Sequence, residues 1–132
     1  MLHNPVVVIL IAALAAWIFG AVWYGVLSKP YLRARGLDPE ACKGQKMPLA
    51  PMAVSFISEV VIAFVLSGVL PLGELSWMEG AGGGLLIGVG FMATSTLVNN
   101  MFQQKKLILS VIDGAHWVIV AGIEGAVLAA LS

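Results

Sequence analysis

The sequence predicts an all-α polytopic membrane protein, four transmembrane helices in one bundle with both termini on the non-cytoplasmic side. Three observations lead there. Of 132 residues, 60% are hydrophobic and 11% charged, against about 45 to 50% apolar and about 25% charged in a soluble domain. Four apolar runs, at about 5–27, 51–72, 81–102 and 107–131, each supply the ~20 residues that a helix rising ~1.5 Å per residue needs to cross ~30 Å of hydrocarbon. All 7 Lys and Arg lie in the first and third connections, and cytoplasmic loops are the ones enriched in basic residues. The whole chain, 1–132, reads as a single transmembrane domain.

The first run follows Met1 to Asn4, which carry no Lys or Arg. It lacks the basic leader of a secretory signal and is expected to stay in place as a span. This run, like the others, is continuous and about twice the length of a membrane β-strand, which excludes a barrel. Ala12, Ala16 and Gly20 recur every four residues along it, a smooth stripe suited to close helix contact. Trp23 and Tyr24 near its end, with Tyr31 beyond, read as an aromatic belt at the interface. Residues 28–50 form the cytoplasmic loop, with Lys29, Arg33, Arg35, Lys43 and Lys46. Within it Asp38 can cap, Pro39 suits a first helical position and Glu40 favours the positive dipole end, so a brief surface helix is expected there. Cys42 is the only cysteine and has no disulfide partner in the chain.

The second run carries Glu59. The connection after it, Gly73 to Gly80, holds Glu74 and Glu79 but no basic residue, as an outer loop should. In the third run Gly80, Gly84 and Gly88 form a second smooth stripe, while Gly82, Gly83 and Gly84 invite bending near its start. No strand, lysine or Ser/Thr completes a phosphate loop there. The run ends in Thr94, Ser95, Thr96, Asn99 and Asn100. After Lys105 and Lys106, the fourth run carries Asp113, His116 and Glu124, with a third stripe at Ala121, Gly125 and Ala129.

An ionised side chain near the middle of a span costs about 2.5 to 3.5 kcal/mol. Glu59, Asp113 and Glu124 therefore stand out as functional candidates. Counting ~1.5 Å per residue puts Glu59 about 12 Å and Asp113 about 9 Å from the cytoplasmic ends of their spans. One polar layer is then expected to hold Glu59, Thr96, Asn99 or Asn100, Asp113 and His116, with Glu124 nearer the outer end. Such groups can fix helix register by hydrogen bonding across the bundle. Carboxylates point further, to proton or cation handling, since a structural role could use a cheaper neutral amide. Asp113 and His116 lie one turn apart, a spacing that helical di-metal sites combine with glutamates such as Glu59 from other helices.

The ending Gly20-Ala-Val-Trp23-Tyr24-Gly25, then Lys29-Pro-Tyr31 and Gly36-Leu-Asp-Pro-Glu40, resembles the start of the bacterial domain-of-unknown-function family 1761. Gly90-Phe91, Asn99-Asn-Met-Phe102, Lys106-Leu, Ile112-Asp113 and His116 resemble its third and fourth helices. The resemblance implies a small four-helix membrane protein of undetermined activity, in a bacterial inner membrane. It also marks Trp23, Tyr24, Asn99, Asn100, Phe102, Asp113 and His116 as motif positions.

Zero net charge offers no field for nucleic acid. No nucleophile, base and orienting group stand together, no cofactor motif is present, and no loop could house a catalytic domain, so an enzyme is not expected. Two readings stay open. One is a small proton- or cation-coupled transporter, homo-oligomeric because four bulky helices leave little room for a pathway. The small multidrug-resistance exporters share its size, but their hallmark carboxylate lies in the first helix, which here has none. The other is a scaffold or accessory subunit whose smooth stripes bind partner helices.

Overall fold

The computed structural model describes residues 4–45 and 48–132. Met1 to His3 and Lys46, which entered the leader and charge arguments, lie outside the described residues. Five helices and no strand occur among the described residues: α1 (Pro5–Val26), α2 (Ser28–Ala34), α3 (Leu49–Val69), α4 (Trp77–Phe102) and α5 (Leu107–Leu131). Of these, α1, α3, α4 and α5 are long and apolar enough to cross a membrane. They are the four runs that the sequence predicts.

Local chemistry explains where the helices begin. Asn4 caps α1, its side chain accepting from the Val6 amide at 2.9 Å, and Pro5 supplies a first residue already bent to helical φ. Ser76 and Glu79 form a reciprocal capping box at the start of α4, so this helix begins at Trp77, ahead of the expected Ala81. The short helix of the first connection also differs from expectation. Asp38 does accept from the Glu40 amide at 3.0 Å, but residues 39–44 form only consecutive turns ending at Gly44. The regular helix of this loop is α2, which continues almost directly from α1, ends at Ala34 and is closed by Gly36, whose φ of 77° suits the residue after the C-cap.

The irregularity in α4 lies further along than the glycines at its start. The stretch Gly82 to Gly84 is regular α-helix, whereas Gly88–Ala93 widens into a π-helical segment. Thr94 and Ser95 return their hydroxyls to the carbonyls of Gly90 and Phe91, at 2.9 and 2.5 Å. Polar side chains that face outward are satisfied in this way by the helix itself.

The bundle is built around α5. It packs against α1, α3 and α4, whereas α3 and α4 scarcely touch. The closest seam joins α4 to α5: a Cβ on Gly80 or Gly84 would strike the backbone of Gly125 or Ala121, and one on Gly88 would lie 2.7 Å from the Val118 Cα. Two of the three smooth stripes therefore mate with each other inside the chain. The third, Ala12, Ala16 and Gly20, is also buried. An apolar core of Val8, Ile9, Ala12, Ala63, Leu66 and Leu128 fills one half of the bundle between α1, α3 and α5. The outward faces stay apolar, with Phe64, Leu86, Phe91 and Phe102 exposed, as hydrocarbon contact demands.

Candidate functional site

Four residues make one helical turn and place side chains one above another on a face. Along α3 this stacks Ser55, Glu59 and Ala63, and along α5 it stacks Val120, Glu124 and Leu128. Ala63 and Leu128 belong to the apolar core. Glu59 and Glu124 thus form the next layer, towards the end of the bundle that carries the first connection. Both are 0% exposed, and none of their four carboxyl oxygens has a hydrogen-bond partner. They stand within electrostatic reach of each other.

Beyond this layer, at the same end, lies a cavity of about 290 Å³ between α1, α2, α3 and α5. Trp17, Tyr24, Tyr31 and Trp117 contribute aromatic walls, with Ser55 and His116 among the polar groups. The wall is fixed by long-range hydrogen bonds. The Tyr24 hydroxyl donates to Asp113 Oδ1 at 2.6 Å, and the Trp23 indole donates to the Ile112 carbonyl at 3.1 Å. Trp17 donates to the Met52 carbonyl at 3.1 Å and meets Phe56 edge to face. His116 is 4% exposed and its Nδ1 has no partner. Its ring lies 4.9 Å from Tyr24 and 4.7 Å from Trp117 between centroids, and parallel to Phe19. Room for it comes from Gly20, where a Cβ would sit 2.9 Å from His116 Nε2. In α2, burial and then the Asp113 charge push the Tyr31 hydroxyl above its usual pKa, with Arg35 opposing. Tyr31 therefore faces this site as a neutral donor.

The single polar layer expected from the sequence is divided. His116 lines the aromatic cavity with Tyr24, Asp113 stands behind that wall as the acceptor of the Tyr24 hydroxyl, and Glu59 joins Glu124. Depth counted along each helix from its own end ignores the offset between helices, and that offset brings Glu124 to Glu59. On α4, Asn100 is 7% exposed and donates to the Ser110 hydroxyl at 3.1 Å, tying α4 to α5 across their tight turn. Asn99 is exposed and Thr96 half-buried, and neither lines the cavity. Among the described residues no three His, Cys, Asp or Glu side chains gather to hold a metal. Within one chain, then, Asp113, His116 and Glu59 do not converge on one.

Sequence reasoning gave Trp17 and Trp117 no role and read Tyr31 as an interfacial anchor, so it missed all three as cavity walls. The signal was present in the spacing Trp17, Gly20, Tyr24 and in the run Asp113, His116, Trp117, each set lying on one helical face. No curated protein and no solved structure matches the chain. A family model described as "Protein of unknown function (DUF1761)" matches residues 7–129, nearly the whole chain, and the protein belongs to that family.

Proposed function

We propose that this protein is a small proton- or cation-coupled membrane carrier, acting as a homo-oligomer, whose exchange site is the Glu59 and Glu124 pair. The observation that carries the reading is that both carboxyls are fully buried beside the apolar core and unsatisfied at every oxygen. Two uncompensated negative charges in a low-dielectric core are untenable, so a proton or cation has to accompany them. A purely structural pair would be held by donors from neighbouring helices, as Asp113 is held by Tyr24.

An entry route supports the same reading. Ser55 lines the aromatic cavity, and Glu59 lies one turn, ~6 Å, deeper along α3. By the positive-inside rule this mouth faces the cytoplasm. The scaffold alternative needs smooth stripes free for partner helices, and the stripes of α4 and α5 are already mated within the chain. No catalytic role is assigned to the site.

The test is proton flux in proteoliposomes, read with a pH-sensitive dye while gradients of amines, metal ions or organic acids are imposed. Wild type should couple one of these gradients to proton movement. Glu59→Gln and Glu124→Gln should abolish the coupling while preserving assembly. Full coupling in either variant would remove the pair from the mechanism. Full flux from proteoliposomes reconstituted at no more than one copy per vesicle would remove the oligomer.

A further inference from the structure

We propose that the aromatic cavity at the first-connection end of the bundle binds a small organic ammonium ion. Its size, about 290 Å³, falls just below the ~300 to 1,000 Å³ typical of drug-sized ligand sites, which suits a small ion. Exposed Ala21, Pro48 and Pro51 border it, so it is open to solutes and to the interface. Four aromatic rings, those of Trp17, Tyr24, Tyr31 and Trp117, line it. Ring faces carry the negative part of the aromatic quadrupole and attract an alkylammonium, most strongly where water is excluded.

Charge selects the sign of the ligand. Among the described residues no Lys or Arg lines the cavity. The nearby negative charge is the Asp113 carboxylate, hydrogen-bonded to one cavity tyrosine and acting electrostatically on the other. His116 lines the cavity and is 4% exposed, adding a neutral aromatic edge to the wall and no formal charge. The Arg35 guanidinium sits 5.5 Å from the Tyr31 ring centroid. A cation is therefore already held on one of these rings from the side of the first connection. A bound ammonium ion would compete with Arg35, whereas a bound anion would be helped by it.

Binding stands independently of the carrier reading; only its assignment as the transported solute rests on that reading. The same chemistry is offered by a free amine and by a choline or ethanolamine lipid headgroup.

The test uses the purified full chain in nanodiscs, titrated calorimetrically with benzyltrimethylammonium, its neutral carbon isostere neopentylbenzene, and benzoate. The ammonium ion should bind saturably and at least about tenfold more tightly than the isostere. Asp113→Asn, which keeps an acceptor for Tyr24, should weaken it roughly three- to tenfold. Arg35→Gln should tighten it, and Ala21→Phe, which fills the cavity without removing a hydrogen bond, should abolish it. Equal affinity for the isostere, preference for benzoate, weaker binding in Arg35→Gln, or unchanged binding in a folded Ala21→Phe would each overturn the proposal. Competition by phosphatidylcholine discs but not phosphatidylglycerol discs would identify the headgroup as the source, and equal binding in both a free solute. Ammonium binding without flux in wild type would overturn the carrier and leave the site; flux without binding would do the reverse.

Discussion

At the scale of single residues, the two core glutamates and Asp113 show opposite solutions to one problem. Asp113 has a phenol 2.6 Å away, and that donor replaces part of the water it has lost. Glu59 and Glu124 have no such donor, so their retention costs stability that an apolar side chain of similar volume would not. Glu124→Met should therefore raise resistance to denaturant by about 1 to 4 kcal/mol, measured by SDS titration in mixed micelles. A loss of more than ~1 kcal/mol would mean that the acid is holding the bundle together. All three carboxylates are legible in the sequence as anomalies, because charge within a span needs no structure to be recognised. Their partners are not legible. Tyr24 and Asp113 are 89 positions apart, and nothing local to either names the other.

At the scale of elements, the helices themselves follow almost directly from apolar run length, while their ends and irregularities follow from a few side chains. The capping box of Ser76 and Glu79 is a spacing that sequence reading can find. The π segment at Gly88–Ala93 is not, since it depends on how α4 meets α5. The end of α4 offers a clean test of capping. Gln104 adopts φ of 58°, Lys105 N donates to the Asn100 carbonyl at 3.0 Å, and Gln104 N donates to that of Met101 at 3.0 Å. This is the paired closure that glycine usually provides. Gln104→Gly should stabilise the protein by roughly 0.5 to 1 kcal/mol, read as a higher melting temperature in detergent. The seam of α4 against α5 predicts the opposite effect. Gly84 faces the Ala121 backbone with no space for a Cβ, so Gly84→Leu should cost about 3 kcal/mol or more and part the two helices. Loss of a disulfide trap between cysteines placed at Ala81 and Gly122 would report that separation.

At the scale of the whole molecule, four helices of membrane-crossing length were readable because hydrocarbon imposes one length on every crossing helix. We propose from the charge census that the first connection is cytoplasmic, so Cys42 should resist an impermeant thiol reagent on intact cells and react once they are opened. Labelling of intact cells would invert the topology. Helix order around the bundle was not readable, because apolar faces look alike whether they meet lipid or protein. That order places α5 at the centre, while α3 and α4 leave an apolar groove of about 490 Å³ between them. The central position of α5 has a consequence for biogenesis. It leaves the ribosome after the other three spans, so α4 must wait in the bilayer without its partner seam, and α3 must enter carrying Glu59 before Glu124 exists. Docking of α4 and completion of the bundle therefore wait for α5, and a nascent chain arrested before Leu107 should leave α4 loosely associated and its connections open to protease.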